Sequence, residues 1–477
     1  MKLEWKAEDV LRGVRGQSLH TQDWTAHGVS IDSRTVCKDD LFIAIRGDAL
    51  DGHDYVRAAF DAGATAAIVD KQPPNTPPDA ALVFVDDTFT ALQDLGRVGR
   101  ARAKAKIIGI TGSVGKTSTK EQLRLMLGAV NDTYANEGSL NNHWGVPLSL
   151  ARLPATTTYG IFELGMNHAG EMAALAHEVH PDVAIITNVE AVHLEFFASV
   201  GAIADAKAEV FLGMAPSGTA VLNADNEHFA RLVAAARTQG LKKILSFGKT
   251  SKSDAVLISS KLYEATTEIE AEIMGCKYKF AIGALGEHLA LNALAGLLAC
   301  HAVDADIETC MEALAGYRTP PRRGNVQRLT LQTGGTITII DQTFNASPVA
   351  TKAAIRLLGQ VATASGKRKV VALGDMKELG DKAALLHTDL LPALLEANID
   401  CVHCCGPLMF HLHQVLPEKM KGALAENSTA LAPLVAQETK DGDIVMVKGS
   451  KSTHMEEVVH ALLALGECEP DNQKLAS

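Results

Sequence analysis

The sequence predicts an α/β protein of three domains: a small N-terminal α/β domain, a central P-loop domain built on a parallel sheet, and a C-terminal Rossmann-like α/β domain. The first reason is length, because 477 residues exceed what one ordinary hydrophobic core holds. The second is that short apolar segments alternate with helical ones, as in βαβ units. The third is a proline-marked hinge at 317–321, after which a new series of strands begins. We therefore place the domains at 1–104, 105–318 and 319–477.

The composition is typical of a soluble globular protein, with 47% hydrophobic and 21% charged residues. A net charge of -11 disfavours nucleic-acid binding, since such proteins use basic patches to displace counterions from phosphates. The first residues carry charges where a signal peptide has its apolar core, and no run of about 18 uncharged apolar residues follows. We therefore expect a cytoplasmic protein with no nucleic-acid partner and no membrane span. Its 8 cysteines are too sparse for a disulfide framework.

Short strands and helices alternate in the predicted N-terminal domain. Residues 51–54 open an amphipathic helix, and 66–69 form a buried strand. A second helix, near 90–105, leads into the central domain.

The segment 111–118, called the phosphate loop below, carries the clearest motif of the chain. An apolar strand runs into two glycines, which allow a tight turn whose N–H groups point inward. Lys116 brings positive charge to the outer phosphates, and the Thr117 hydroxyl can hold Mg²⁺. Ile110 replaces the first glycine of the longer P-loop form, and a plain strand-to-helix turn would not explain the Lys-Thr pair. The predicted nucleotide-binding residues here are Gly112, Ser113, Val114, Gly115, Lys116, Thr117 and Ser118.

The central domain contains a βαβ series, which predicts a parallel sheet with ligands at the carboxyl ends of its strands. A hairpin-like stretch at 268–282 interrupts this series, and a helix follows at 287–302. The strand candidates are 106–111, 159–164, 183–187, 220–223 and 244–247.

The C-terminal domain is predicted to begin with a hairpin that turns at Gly334 and Gly335. Two further strand-to-loop signals follow at 370–375 and 444–449. The cluster at 401–405 contains C-x-x-C and a histidine, which is one arrangement of zinc ligands. Because no second ligand pair lies at metal spacing, the end of a strand is the favoured interpretation.

Two side chains at the carboxyl edge of the predicted sheet are candidate metal ligands. Glu163 ends a buried strand, where a carboxylate is costly unless it meets a cation such as phosphate-bound Mg²⁺. An exposed strand-end glutamate that caps the next helix is the alternative. His193 follows the next strand at the same edge, although a lone histidine is more often structural.

Lys207 lies within an apolar stripe at helical spacing, whereas Asp205 and Glu209 point away from it. Burying an unpaired ammonium costs several kcal/mol in order of magnitude, so this lysine must be neutralised, paired or modified. A lysine with a lowered pKa is nucleophilic toward CO₂, and its carbamate would supply an anion for metal binding. A lysine that snorkels from the helix edge fits the same pattern. The stripe consists of Val200, Ile203, Ala204, Phe211 and Met214.

The polar loop at 139–147 follows the phosphate-loop helix and is constrained by glycine and proline. Loops in this place commonly hold substrate, and a connecting turn is the alternative. Together with the phosphate loop and the candidate metal ligands, it predicts the use of ATP. Whether ATP drives motion, phosphorylation or ligation stays open at this point.

Over nearly the whole chain, the sequence resembles the ATP-dependent Mur ligases of peptidoglycan synthesis, because several motifs of that family occur in it in the same order. The central motifs are T-G-S-V-G-K-T at 111–117, S-L-N-N-H-W-G-V-P at 139–147, F-E-L-G-M-N at 162–167, V-H-L-E-F-F at 192–197 and A-D-A-K-A-E-V-F at 204–211. The C-terminal motifs, which resemble the last ligase of the series, are D-Q-T-F-N-A-S-P at 341–348, L-G-D-M-K-E-L-G at 373–380 and K-G-S-K-S at 448–452.

The resemblance implies an enzyme that joins UDP-N-acetylmuramoyl-tripeptide to D-alanyl-D-alanine. ATP would phosphorylate the terminal carboxylate of the tripeptide, and the dipeptide amine would attack the acyl phosphate. The N-terminal domain would bind the UDP substrate, the central domain ATP, and the whole would be a monomer. An alternative is the preceding ligase, which adds the third amino acid, although its D-N-P-R stretch is absent.

The resemblance also implies roles for single residues. Two Mg²⁺ ions would be held, one by Thr117 and Glu163 and the other by His193 and carbamylated Lys207. The implied catalytic residues are Lys116, His193 and Lys207. Beyond the phosphate loop, the implied ATP-binding residues are Asn292, Arg322, Arg323 and Asp341. The implied substrate-binding residues are Ser33 and Arg34 for the UDP part, and Asn141, Asn142, Asn345, Lys448 and Ser450.

Two departures from the usual family sequence bear on activity. At residues 341–348 the usual family sequence is D-D-S-Y-N-A-N-P. The sequence here lacks one acidic residue, the tyrosine hydroxyl and one asparagine of that motif. Lys451 replaces an arginine, which removes a bidentate fork. Because the phosphate and metal positions are intact, an active enzyme is expected. A nucleotide-binding regulator descended from the ligase is the alternative.

Overall fold

The computed structural model describes residues 3–18, 23–47, 50–192, 195–263, 266–363 and 367–468. Contacts divide the chain into two compact units. The first unit consists of 1–188, 204–255 and 293–311, and the second of 189–203, 256–292 and 312–477. Within the described residues, no helix is both long enough and apolar enough to cross a membrane.

The N-terminal part alternates short strands and helices, as predicted. In chain order these are β1 (Trp5–Lys6), α1 (Ala7–Val14), β2 (Gln17–Ser18), β3 (Thr25–Ala26), β4 (Gly28–Ser30), β5 (Asp40–Ile43), α2 (Val56–Asp61), β6 (Ala66–Val69), β7 (Leu82–Phe84) and α3 (Thr88–Arg102). A sheet with the order β2-β7-β6-β5-β4 forms here, parallel from β4 to β7, with β2 antiparallel to β7. The predicted strand at 66–69 is confirmed, and it is buried along its whole length.

The central part contains the predicted series of strands and helices. In chain order these are β8 (Lys106–Thr111), α4 (Lys116–Val130), β9 (Thr133–Ala135), α5 (Gly145–Ala151), β10 (Tyr159–Glu163), α6 (Glu171–Val179), β11 (Val183–Ile186), α7 (Val200–Ala208), β12 (Thr219–Asn223), α8 (Phe229–Thr238), β13 (Lys243–Gly248), β14 (Ala255–Tyr263), β15 (Thr266–Ile273), β16 (Cys276–Ile282), α9 (Glu287–Ala302) and α10 (Ile307–Ala313).

In the first unit, the strands of this part lie in the order β13-β12-β11-β8-β10-β9, and neighbouring strands are parallel. The predicted strands match the observed ones to within one residue at each end. They are apolar because helices cover parallel sheets on both faces. Since β8 lies between β10 and β11, its carboxyl end adjoins theirs: Ile110 pairs with Glu163, and Thr111 with Ile186. The sheet therefore gathers the candidate site residues at one edge.

Helix α3 packs closely against α5 because two glycines of α3 face α5. A Cβ on Gly99 would lie 2.2 Å from the carbonyl oxygen of Leu150, and one on Gly96 would lie 2.8 Å from that of Pro147. Both contacts are with backbone, which cannot rotate away. This approach joins the N-terminal sheet to the central one within the first unit.

We expect Gly99→Ala to lower the free energy of unfolding by about 1–3 kcal/mol, because the added methyl overpacks the α3–α5 contact. Gly128 is the matched control: it lies in α4, and a Cβ there meets no atom within 4 Å. Gly128→Ala should instead stabilise the protein by about 0.5–1 kcal/mol, since alanine loses less backbone entropy in a helix. Urea denaturation of both variants measures the difference. Equal midpoints would contradict the packing argument.

In the second unit, β15 pairs antiparallel with β16, and β14 lies on the other side of β15. The hairpin-like stretch predicted at 268–282 is thereby confirmed. The helix predicted at 287–302 is also confirmed, as α9.

The C-terminal part opens with the predicted hairpin and continues as an alternating α/β series. In chain order the elements are β17 (Asn325–Leu331), β18 (Thr336–Gln342), α11 (Pro348–Thr363), β19 (Lys369–Gly374), α12 (Ala383–Thr388), α13 (Leu391–Glu396), β20 (Cys401–Cys405), α14 (Met409–Val415), β21 (Lys421–Ala425), α15 (Ser428–Glu438), β22 (Ile444–Lys448), α16 (Glu456–Leu463) and β23 (Gly466–Cys468). The sheet order is β21-β20-β19-β22-β18-β17-β23, parallel from β21 to β18, with β17 antiparallel to both neighbours.

The cysteine-rich cluster at 401–405 is the buried strand β20, as the favoured interpretation expected. Cys401 and Cys405 pack into the core on one face of the sheet, and Cys404 packs into the core on the other. Nδ1 of His403 accepts the N–H of Ala423 at 3.0 Å, which ties this strand to β21. Burial lowers the pKa of His403 to about 4, so its imidazole is neutral at physiological pH.

Candidate active site

The phosphate loop joins β8 to α4, and two glycines give it its shape. Gly115 has a left-handed φ of +87°, which an L side chain rarely adopts. A Cβ on Gly112 would lie 1.9 Å from Oγ1 of Thr187, the residue that follows β11, so this close approach favours glycine. The chain then enters α4 at Lys116. Backbone N–H groups and the helix dipole favour an anion at this position.

Neighbouring groups brace the phosphate loop. The Thr187 hydroxyl donates to the carbonyl of Val114 at 2.5 Å, and the N–H of Ser113 donates to the carbonyl of Asn188 at 2.9 Å. Nζ of Lys116 donates to the carbonyl of Gly112 at 2.6 Å. The ammonium of this lysine is therefore held against the loop that the sequence assigns to phosphate.

Glu163 ends β10 beside the phosphate loop and is 2% exposed. Its Oε2 accepts the hydroxyl of Thr117 at 2.8 Å, and its Oε1 accepts Nδ2 of Asn141 at 2.8 Å. The structure thus brings together three residues that the sequence singled out at separate places. Burial excludes a solvent-exposed strand end, which was the alternative for this glutamate.

Lys207 lies on α7 and is 2% exposed, so it does not snorkel to solvent. Burial, and secondly the positive charge of Lys116, lower its pKa well below the usual range of a lysine. Both effects favour the neutral amine more than in an exposed lysine. His193, the predicted partner of this lysine in a metal site, lies outside the described residues.

The helix that carries Lys207 is shorter than the apolar stripe predicted. Helix α7 ends at Ala208, and Glu209–Gly213 form a 3₁₀ helix. Glu209, which was predicted to point away from the apolar stripe, is half-buried. Its carboxylate accepts the N–H of Gly170 at 2.9 Å and the N–H of Ala173 at 3.2 Å, at the N-terminus of α6. A carboxylate is stabilised there by the helix dipole, which periodicity along α7 could not reveal.

The two predicted asparagines of the 139–147 loop have different surroundings. Asn141 bonds to Glu163, whereas Oδ1 of Asn142 accepts the N–H groups of Gly145 at 2.9 Å and Trp144 at 3.2 Å. Asn142 therefore closes the turn that leads into α5. The loop therefore contributes Asn141 to the site, and through Asn142 it also forms a connecting turn.

Ser33 and Arg34 lie in the loop after β4, well before the phosphate loop in the chain. Arg34 is exposed, and its guanidinium donates to the carboxylate of Asp32, with Nη2 and Oδ2 2.6 Å apart. This ion pair lowers the pKa of Asp32. Ser33 is half-buried in the same turn.

In the second unit, Arg322 and Asp341 meet at Thr343. Oδ1 of Asp341 accepts the Thr343 hydroxyl at 2.7 Å, and the same hydroxyl oxygen accepts Nε of Arg322 at 3.0 Å. Arg322 also pairs with Glu456, with Nη2 and Oε2 2.7 Å apart. Thr343, one of the residues by which this chain departs from the usual family sequence, therefore links the two predicted ATP-binding residues.

The altered 341–348 loop keeps an aromatic face at Phe344. The guanidinium of Arg323 lies 3.6 Å from the centre of that ring, within the range of a cation–π contact. The lost tyrosine hydroxyl is therefore not needed for this stacking.

Of the remaining predicted residues of the second unit, Lys448 ends β22 and Ser450 follows that strand. Lys448 is 5% exposed, and its Nζ donates to the carbonyl of Asn345 at 2.9 Å. Burial lowers the pKa of Lys448 to about 8. Ser450 Oγ accepts the N–H of Lys377 at 2.9 Å, and Asn292 is buried on α9.

Comparison with known proteins identifies the family. Models of the Mur ligase family match three successive segments: the catalytic domain at 25–97, the middle domain at 110–300, and the glutamate ligase domain at 327–451. A UDP-N-acetylmuramoyl-tripeptide–D-alanyl-D-alanine ligase of Rickettsia prowazekii is 35% identical over 431 residues, which cover 90% of this chain and 94% of the relative. The chain belongs to the Mur ligase family.

Solved structures of Mur ligases share the whole fold. MurF from Acinetobacter baumannii matches with a TM-score of 0.84 and 28% identity, over 97% of this chain and 99% of that one. MurF from Thermotoga maritima in complex with ADP matches with a TM-score of 0.75 and 28% identity, over 91% and 96%. The predicted three-domain α/β architecture is confirmed, whereas the boundaries at 104 and 318 stay predictions.

Sequence reasoning missed two polar residues of this Mur ligase that lie behind Glu163. Lys120 is fully buried on α4, and Asn136 is 1% exposed in the segment after β9. The signal for Lys120 was present, because it shares a helical face with Leu123 and Leu127, as Lys207 shares one with apolar residues. Asn136 had no such signal, since the Glu163 backbone groups that its side chain binds lie 27 residues away in the sequence.

Proposed function

We propose that this Mur ligase joins D-alanyl-D-alanine to UDP-N-acetylmuramoyl-tripeptide and converts ATP to ADP and phosphate. The observation that carries the proposal is the buried Glu163 carboxylate, which is bonded to Thr117 of the phosphate loop. It supports ATP-dependent chemistry at this edge of the sheet. The named activity of the Rickettsia prowazekii relative, which matches nearly end to end, supports these particular substrates.

The reaction has two steps. A terminal carboxylate oxygen of the tripeptide attacks the γ-phosphorus of ATP, the bond from that phosphorus to ADP breaks, and an acyl phosphate forms. The uncharged amine of D-alanyl-D-alanine then attacks the acyl carbon, the bond to phosphate breaks, and one proton is released from nitrogen. The first step is needed because a carboxylate oxygen is a poor leaving group and a phosphate is a good one.

The chain's own groups stabilise the crowded negative charge of the first step. The N–H groups of the phosphate loop and the N-terminus of α4 bind the phosphates, and Lys116 adds a full positive charge. These groups are in place before the reaction, because Thr187 and Asn188 brace the loop.

The oxygen donors at this edge fit Mg²⁺, which prefers carboxylate and hydroxyl oxygen. The Thr117 hydroxyl and the Glu163 carboxylate would hold one ion, and His193 with a carbamate on Lys207 a second. When bound, Mg²⁺ neutralises phosphate charge and polarises the phosphoryl group.

The surroundings of Lys207 support a carbamate on this residue. The buried neutral amine attacks the carbon of CO₂ and releases one proton, which replaces a potential cation with an anion. An ammonium here would repel both Lys116 and a metal ion. The carbamate would accept the metal that an ammonium excludes.

The other assignments complete the proposal. Ser33 and Arg34 would bind the UDP part, and Asn141, Asn142, Asn345, Lys448 and Ser450 the peptide parts. Asn292, Arg322, Arg323 and Asp341 would bind ATP. The enzyme would act as a monomer in the cytoplasm.

The test is phosphate release with a panel of substrates. We expect release only when UDP-N-acetylmuramoyl-tripeptide, ATP, Mg²⁺ and D-alanyl-D-alanine are all present, with the amide product detected by mass. Ligation of a single amino acid to the shorter precursor would favour the preceding ligase of the series. ATP binding without turnover would favour the regulator instead.

A further inference from the structure

Lys120 carries a positive charge into the interior of the first unit. It lies on α4, one turn after Lys116, and its side chain is completely buried. Burying an ammonium costs free energy unless several acceptors surround it. The acceptors therefore indicate what this lysine holds in place.

The ammonium of Lys120 binds the segment that leads to Asn141. Its Nζ donates to the carbonyl of Asn136 at 2.7 Å and to the carbonyl of Gly138 at 3.1 Å. Oε1 of Glu121 lies 3.3 Å away and supplies a negative charge. One side chain of the phosphate-loop helix thus fixes two peptide groups of a loop outside that helix.

Asn136 in turn holds the backbone of Glu163. Its Oδ1 accepts the N–H of Glu163 at 2.8 Å, and its Nδ2 donates to the carbonyl of Glu163 at 3.3 Å and to that of Leu140 at 2.8 Å. The amide therefore occupies both backbone groups of the residue that ends β10. The same segment ends in Asn141, which holds Oε1 of Glu163 from the side-chain end.

We propose that Lys120 is a positioning residue for metal binding, which acts through Asn136 and Asn141 to hold the Glu163 carboxylate toward Thr117. Lys120 itself touches neither the carboxylate nor the phosphate loop's Thr117 hydroxyl in these bonds. The proposal rests on the proposed role of Glu163 as a Mg²⁺ ligand. Loss of the Lys120 side chain should weaken metal binding before it affects the fold. Residues that hold a metal ligand in place tune the affinity for the metal.

The test is Mn²⁺ binding to the full chain in the presence of ADP, followed by electron paramagnetic resonance of free Mn²⁺. Lys120→Met keeps the length of the side chain and removes its donors, and we expect the Kd for Mn²⁺ to rise about 10–100-fold. Arg124→Met is the matched control. Arg124 lies one turn further along α4, is exposed, and also bonds Glu121, so its loss should leave the Kd unchanged.

Asn136→Asp is the second variant, in case Lys120→Met fails to fold. It is isosteric but replaces the Nδ2 donor with oxygen, and the same rise in Kd is expected. Parent-like Mn²⁺ affinity in either folded variant would overturn the proposal, as would an equal rise in Arg124→Met. Thermal unfolding of each variant separates loss of the fold from loss of metal. Because this readout needs no ligation, a parent chain that binds Mn²⁺ but forms no amide would contradict the proposed function and leave the positioning role standing.

Discussion

Lys207→Ala is expected to lower ligase activity by about 10²–10³-fold, and added formate or acetate is expected to restore part of it. Burial and the charge of Lys116 lower the pKa of Lys207, so the amine is free to form a carbamate. Alanine removes that anion and leaves a space in which a small carboxylate can replace it. The measurement is the rate of phosphate release with saturating substrates at increasing formate concentration.

Lys207→Met is the control for this rescue. Methionine also lacks the carbamate, but its side chain fills the space, so activity should fall equally and formate should not restore it. Undiminished activity in Lys207→Ala would exclude a role in metal binding. Rescue of both variants to the same extent would show that formate acts elsewhere.

Lys116→Met should lower kcat by about 10²–10³-fold, because it removes a preorganised charge where the phosphates bind. The phosphate loop itself should persist, since the bonds of Thr187 and Ser113 to it do not involve the lysine side chain. ADP affinity measured by calorimetry should therefore fall less than kcat. Lys106→Met, at the exposed opposite end of β8, is the control and should retain full activity.

The same variant has a second effect, through Lys207. The charge of Lys116 lowers the pKa of Lys207, so its removal favours the ammonium and raises that pKa. The residual activity of Lys116→Met should then keep increasing up to a higher pH than the activity of the parent chain does. A pH profile of unchanged shape would contradict the coupling of the two lysines.

The phosphate loop and the strands of the central sheet could be predicted because their signals are local. Glycines, a Lys-Thr pair and a preceding apolar strand lie within 106–118, and β8 has the predicted bounds. The hairpin of β15 and β16 and the long helix α9 could also be predicted, since strand alternation and helical length are local properties of the sequence. Family membership followed from several such motifs in order.

Glu209 shows what a local pattern leaves out. The sequence indicated only that this side chain points away from the apolar stripe, and the structure shows that it caps the N-terminus of α6. The helix of which it was thought to be part ends one residue earlier. Hydrophobic periodicity describes a single helix or strand and carries no information about the element packed against it.

The sequence by itself determined that a phosphate loop, a carboxylate at a strand end and a lysine on an apolar face occur in one domain. Only the tertiary structure decided that Glu163 bonds to Thr117 and Asn141, and that Lys207 is buried rather than snorkelling. It alone placed Lys120 and Asn136 behind that carboxylate. The physical reason is that a parallel sheet brings the ends of distant strands together, while burial and pKa depend on what surrounds a side chain in space.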